Sequence, residues 1–289
     1  MFNRVAIVGL GLIGESIGLA LHNAKAVQQI MGYDLNEGVT DHARKIGAID
    51  QACHMLADAV YGAELVILAT PIGPIRSLLQ NIATVASPGT VVTDVASTKA
   101  QIISWAEEYL PTSVFFVGGH PIVRKDMYDI GTAKAALFKN CVYCLTPTKR
   151  TSSIGLNKVT QLIAILEARV RFLEPAEHDG LIAGVSHLPF VVSAILMNTI
   201  AENPVWGDAA MLAEKSIDDM TRLASSSPEV SRDICLTNSE ALSRWLGEYI
   251  RELSTFRDQL IMHDNRMIQT FSRSQQLRTQ WQTAQDIDE

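Results

Sequence analysis

The chain reads as an α/β Rossmann domain, a doubly wound parallel sheet, followed by an all-α helical domain. Three observations predict this. Apolar strands and helical stretches alternate at short intervals through the first half. The first strand runs into Gly9-x-Gly11-x-x-Gly14, and an acid, Asp34, closes the second apolar stretch twenty positions after Gly14. After Pro175 the strand signal disappears and helical periodicity continues to the C-terminus.

Taken in order, strand 4–8 leads into a helix reaching residue 23, then strand 29–33 and a helix at 39–46. Strand 64–69 precedes a helix from Ile75, strand 90–94 a helix from Lys99, and strand 113–117 is followed by strand 141–145. A helix at 154–167 and a strand at 170–173 complete residues 1–174 as the dinucleotide-binding domain. Residues 175–289 form the second domain, with helices near 176–201, 208–225 and 229–262, apolar on broad faces as helices are when they bury against each other or a second subunit. The stretch 272–289, rich in Gln, Arg, Asp and Ser, is expected to fray.

The glycine motif has a physical reading. Gly9 allows a tight turn, Gly11 lets backbone approach a pyrophosphate, and Gly14 lets the helix pack on the strand, while Leu12 and Ile13 place helix N–H groups toward the phosphates. A carboxylate at Asp34 accepts hydrogen bonds from the adenosine ribose and repels a 2′-phosphate, so the expected cofactor is NAD rather than NADP. A signal peptide is not expected, because four glycines and Glu15 interrupt the N-terminal apolar run.

Composition narrows the class. With 289 residues, 47% of them hydrophobic, the chain can bury a large core across two domains. A net charge of −7 without a dense basic stretch excludes a nucleic-acid partner. Residues 180–201 are apolar enough to suggest a membrane span, but His187, Pro189 and small polar residues favour a buried helix at a subunit interface, so no membrane partner is expected. Cys141-x-x-Cys144 lies in a strand pattern where residues three apart face opposite ways, which leaves reduced, packed thiols and no metal. Free cysteines, the cofactor and the missing export signal point to the cytoplasm.

Ligands of open α/β sheets bind beyond the carboxyl ends of the strands. The residues expected there are Thr70-Pro71, the run from Asp94 through Ser97 to Lys99, and Gly118-Gly119-His120-Pro121. His120 can take a proton from a carbinol as hydride leaves, or it can simply cap a loop. In the helical part, His178-Asp179 and His187 stand out, and Pro189 should kink the helix beside His187. Asp219 and Arg222, three apart on one face, read either as an intrahelical ion pair or as a guanidinium held by Asp219 for a carboxylate substrate.

Together, Gly9 to Gly14, Ala69-Thr-Pro71, Thr93-Asp-Val-Ala-Ser-Thr-Lys99, Val117-Gly-Gly-His-Pro121, Leu145-Thr-Pro147, His178-Asp179, Val185-Ser-His-Leu-Pro189 and Thr221-Arg-Leu-Ala-Ser225 resemble the prephenate/arogenate dehydrogenase family over about residues 4–240. The resemblance implies a Rossmann domain with an α-helical dimerisation domain, a homodimer, and NAD-dependent oxidative decarboxylation of prephenate to 4-hydroxyphenylpyruvate in tyrosine biosynthesis. It further implies that His120 takes the ring hydroxyl proton and Ser97 bonds the same hydroxyl and orients the nicotinamide. Arg222, positioned by Asp219, would bind the ring carboxylate, and His187 would contact the substrate side chain.

The chain departs from that family after His120. The usual G-G-H-P-M-A-G-x-E becomes Gly-Gly-His-Pro-Ile-Val-Arg124-Lys125-Asp126. Near Arg222 the frequent G-G-F-R-D is replaced by Lys215-Ser-Ile-Asp-Asp219, and Ser231 stands where a tryptophan is common. Arg124 or Lys125 could recognise a side-chain carboxylate, favouring prephenate over arogenate, or be solvated loop. Alternatives are dehydrogenation of arogenate, of an amino-substituted prephenate, or of a β-hydroxy acid with Lys215 in the lysine role. A non-catalytic NAD-binding redox sensor is a further one, against which Ser97, His120, His187 and Arg222 together argue.

Overall fold

The computed structural model describes residues 1–123 and 132–288, with side chains to residue 284. It divides into two compact units, Met1–Ser239 and Glu240–Glu289. In the first, β1 (Phe2–Val8), α1 (Leu12–Asn23), β2 (Val27–Tyr33), α2 (Glu37–Lys45), β3 (Gln51–Cys53), α3 (Leu56–Val60), β4 (Leu65–Leu68), α4 (Ile75–Val85), β5 (Val91–Asp94), α5 (Ala100–Tyr109) and β6 (Phe115–Ile122) alternate. They are followed by a 3-10 turn (Ala135–Phe138), β7 (Val142–Thr146), α6 (Ser153–Ile165) and β8 (Arg169–Phe172).

The eight strands form one sheet in the order β3-β2-β1-β4-β5-β6-β7-β8. The order reverses between β1 and β4, which opens a crevice at their carboxyl ends. Pairing is parallel except between β6 and β7, which run antiparallel with His120 opposite Cys144. The doubly wound, parallel-dominated sheet expected from the sequence is thus present, with one antiparallel pair where β7, preceded by the 3-10 turn, joins β6.

Both faces of β1 are buried, as a doubly covered strand requires. Val5 and Ile7 pack with Ile17, Leu21, Val159 and Leu162 on one side, while Ala6 and Val8 pack with Ile75, Leu79 and Ile102 on the other. β3 and α3 lacked a sequence signal because they are three and five residues long, too short for a period to show.

Beyond β8 every element is helical: α7 (Pro175–Ile182), a π-helical turn (Ala183–His187), α8 (Leu188–Ala201), α9 (Trp206–Met211), α10 (Lys215–Thr221), a 3-10 turn (Arg222–Ser225) and α11 (Pro228–Thr237). Pro189 follows the π turn inside the continuous helical run Pro175–Ala201, and the wider turn before it accommodates a residue that lacks an N–H for the helical ladder. The run Pro175–Ala201 is long and apolar enough to cross a membrane, with mean hydropathy 1.9, yet only 17% of its most apolar window is buried. Most of that window is therefore left uncovered by the chain itself.

The second unit consists of α12 (Ser239–Ile261), less its first residue, and α13 (Met267–Asp288). The stretch expected to fray is a continuous helix. All four cysteines are free thiols, with Cys144 buried in β7 and Cys141 just before it. Among the described residues no cluster suited to a metal ion occurs.

Candidate active site

At the crevice, Gly9 adopts φ +93°, and a Cβ there would lie 2.7 Å from the Ala69 carbonyl. A Cβ on Gly14 would meet the Gly9 carbonyl oxygen at 2.0 Å, so the α1–β1 approach admits only hydrogen. Gly11 differs: its missing Cβ faces open space at the α1 N-terminus. That is the cradle a pyrophosphate needs, with the unpaired N–H groups of the first helical turn facing it. Leu12 and Ile13 are half-buried, packed on the core beneath.

Asp34 binds the backbone N–H of Leu10 at 2.9 Å through Oδ2 and that of Asn36 at 2.9 Å through Oδ1, which ties the end of β2 to the glycine turn. Each oxygen retains a second lone pair for a ribose hydroxyl. The following residues, Leu35, Asn36 and Glu37, include no cation for a 2′-phosphate. Thr70 donates its hydroxyl to the Pro71 carbonyl at 3.0 Å at the carboxyl end of β4. The residues present thus fit NAD.

Asp94 and Lys99 form a fully buried ion pair beneath the site, both 0% exposed. Lys99 Nζ also donates to the Gly119 carbonyl at 2.7 Å, and Asp94 accepts the N–H groups of Gly119 and Ala96, each at 3.1 Å. Burial pulls the Lys99 ammonium below the usual lysine range, against the opposing pull of Asp94. This pair explains the double glycine. A Cβ on Gly118 would press on Thr146 Oγ1 at 2.5 Å and Lys99 Cδ at 3.3 Å, and one on Gly119 on the Asp94 carbonyl oxygen at 2.7 Å.

The sequence pattern places Gly118 to Pro121 in the loop after a strand. They lie within β6, which runs on to Ile122 because antiparallel pairing with β7 supplies partners for the extra residues. His120 is thereby held on a strand, half-buried, with Nδ1 2.9 Å from His178 Nε2 and the two rings edge to face. Burial, then the neighbouring His178, Lys99 and His187, push its pKa well below the ordinary histidine value, so the ring is neutral at physiological pH.

His178, 0% exposed, bonds Asp179 Oδ1 through Nδ1 at 2.8 Å. Asn238 donates to the Asp179 carbonyl at 2.8 Å and lies 3.2 Å from His187 Nδ1. His187 is 1% exposed; burial lowers its pKa to about 4, and its Nε2 has no partner among the described residues. With Asn238 donating to Nδ1, the neutral ring carries its proton on Nε2, a buried donor awaiting an acceptor.

The structure gathers His120, His178 and His187 about the Asp94–Lys99 pair. Ser97 is half-buried in the same β5–α5 loop, and its hydroxyl bonds none of the described residues, whereas neighbouring Thr98 is tied to Thr237 at 3.0 Å. Asp219 and Arg222 are not brought together: α10 ends at Thr221, both residues are exposed, and no ion pair joins them. Lys215 is exposed at the start of α10. Arg124, Lys125 and Asp126 lie outside the described residues.

Asp94, Lys99 and Asn238 received no role from the sequence. A buried charge pair could be suspected from Asp94 and Lys99 in an otherwise apolar setting, but nothing local to Asn238 marks it.

Residues 17–172 match the family model described as prephenate dehydrogenase, nucleotide-binding domain, and residues 174–273 that described as prephenate dehydrogenase, dimerization domain. The chain is 33% identical over 266 residues to a prephenate dehydrogenase of Bacillus subtilis, covering 91% of this chain and 72% of that one. It is 28% identical to a cyclohexadienyl dehydrogenase of Zymomonas mobilis over 99% of each. A crystal structure of prephenate dehydrogenase from A. aeolicus in complex with hydroxyphenyl propionate and NAD+ superimposes with a TM-score of 0.88 at 26% identity, covering 97% of this chain and 98% of that one. With both family models spanning most of its length and this fold around its glycine motif, the chain belongs to the prephenate dehydrogenase family.

Proposed function

We propose that the chain oxidatively decarboxylates prephenate to 4-hydroxyphenylpyruvate, with NAD bound at the glycine turn of residues 1–174 and the substrate held between that turn and His187. The observation that carries this reading is His120, a neutral imidazole held on β6 at the cofactor end of the sheet with the unpaired donor of His187 nearby. Bound NAD supplies a hydride acceptor. His120 accepts the ring hydroxyl proton as the carbon beside it loses hydride, and returns it to the phenol oxygen of the product. Overall, substrate and NAD+ become product, carbon dioxide and NADH, with no net proton released. The unoccupied hydroxyl of Ser97 orients the same oxygen, and the His187 Nε2–H donates to the oxygens of the substrate side chain.

Arg222, exposed on a 3-10 turn packed against α8, supplies a cation for the ring carboxylate until that carboxylate leaves as carbon dioxide. Arg124 and Lys125 offer further cations for the side-chain carboxylate.

The same reading makes the protein a cytoplasmic homodimer. It is supported by the free thiols, by the match to a dimerization domain, and by apolar residues such as Ile195, 58% exposed on α8 in the single chain. Light scattering should give twice the 31.6 kDa chain mass.

The decisive assay follows NADH absorbance with prephenate and with arogenate and identifies the product. Turnover of prephenate to 4-hydroxyphenylpyruvate is expected. NAD binding with neither substrate consumed would overturn the proposal in favour of a sensor.

A further inference from the structure

We propose that His178 and Asp179 are positioning residues that hold His120 in the one tautomer able to accept a proton, with the hydrogen on Nδ1 and the lone pair on Nε2. This rests on the reading of His120 as the proton acceptor.

The direction of each hydrogen bond follows from the last member of the chain. The Asp179 carboxylate already accepts the backbone N–H of Lys99 at 2.7 Å on Oδ1 and that of Ala100 at 2.9 Å on Oδ2, so it faces the His178 ring as an acceptor. His178 Nδ1, at 2.8 Å, therefore carries the hydrogen. A neutral imidazole has a single N–H, which leaves His178 Nε2 with a lone pair. The 2.9 Å contact with His120 then requires His120 Nδ1 to be the donor, and the remaining lone pair falls on His120 Nε2.

When His120 Nε2 takes the substrate hydroxyl proton, the new positive charge lies on a ring whose Nδ1–H already points at a neutral acceptor, and that acceptor is backed by a carboxylate. No proton moves along the chain; Asp179 stays ionised and His178 stays neutral. The proton returns from His120 to the product oxygen. A protonated His178 would reverse the arrangement, because both of its nitrogens would donate and His120 Nδ1 would have to accept, putting hydrogen on the nitrogen that must be bare. Among the described residues, the charged and titratable groups acting on His120 are His178, Lys99 from the β5–α5 loop, and His187 from the π turn.

The geometry also links the two segments of the site. His120 is on β6, whereas His178 and Asp179 are on α7, and Asp179 simultaneously caps α5, whose preceding loop carries Ser97. Displacing α7 would release the base and the Ser97 loop together.

The test uses the full-length protein labelled with 15N at its seven histidines, with the His120 signals assigned by their loss in His120→Asn. The wild type without substrate should show His120 Nδ1 protonated and Nε2 bare at pH 7.5. In His178→Leu, kcat should fall about 100-fold with KM changed less than about 3-fold, and His178→Gln, whose amide oxygen can still accept from Nδ1–H, should recover about 10-fold of the loss. A hydrogen on His120 Nε2 in the wild type, or an unchanged kcat in His178→Leu, overturns the proposal. Because the spectrum needs no substrate, the expected tautomer in a protein that consumes neither prephenate nor arogenate would sink the proposed function and leave the positioning role standing.

Discussion

Asp179 accepts the backbone N–H of Lys99 at 2.7 Å, so a carboxylate eighty residues away in sequence caps helix α5. Its second oxygen takes Ala100 N–H, and together they satisfy two of the four N–H groups a helix start leaves open. No residue in the loop itself does so. Asp179→Ala should therefore destabilise the protein by about 1–2 kcal/mol, the usual cost of a lost cap. Urea denaturation would read it, and an unchanged midpoint would refute the capping role.

The Asp94–Lys99 pair predicts a larger effect. Lys99→Met leaves a buried carboxylate with only backbone partners and should cost about 3–5 kcal/mol. Adding Asp94→Asn removes the stranded charge and should restore part of that loss. A double variant less stable than Lys99→Met alone would show that the pair is not coupled in this way.

Two glycines in one motif should fail differently. Gly11→Ala adds a methyl into open space, so the thermal midpoint should stay within a degree or so while NAD affinity drops about tenfold, because the methyl occupies the pyrophosphate cradle. Gly14→Ala must displace the Gly9 carbonyl and should lower the midpoint as well. Isothermal titration and calorimetry on both variants separate the outcomes; equal loss of stability would contradict the geometry.

At Asp34, replacement by Asn removes the charge that repels a 2′-phosphate. The ratio of kcat/KM for NADP to that for NAD should rise about tenfold or more. An unaltered ratio would assign the preference to another residue.

The buried histidines set an acid limit. His187 protonates near 6.5 in the unfolded chain but at about 4 when folded, so the unfolded state binds more protons between those values. Stability is full above pH 6.5 and falls as pH drops toward 4, by on the order of 3 kcal/mol from this residue, with no further loss from it below. His120, shifted the same way, adds to the slope. Denaturation midpoints between pH 7.5 and 4 should fall less steeply in His187→Gln than in the wild type; identical slopes would show that burial of this ring does not govern the loss.

Much of this site is visible in one dimension because its parts act locally. The glycine turn, Asp34 at a strand end and the alternation of strand and helix depend on neighbours a few residues apart, and each leaves a spacing in the sequence. The antiparallel β7 leaves none, since strand direction is set by how the chain returns, not by side-chain period. Pro189 marks a disturbance in the helix, but whether it becomes a kink or a π turn depends on packing around Ala183 and His187, both buried.

By itself the sequence determined the Rossmann architecture, the NAD preference and the identity of the polar residues after the strands, because periodicity, glycine conformational freedom and the charge of one carboxylate are properties of short segments. Tertiary structure decided what those residues touch. Only the folded chain places Lys99 under Gly119, Asp179 on the end of α5, His178 against His120 and Asn238 between Asp179 and His187, while leaving Asp219 and Arg222 apart. Hydrogen bonds and buried charge pairs join atoms within about 3 Å, and residues twenty to eighty positions apart reach that distance only through the packing of a sheet against its helices.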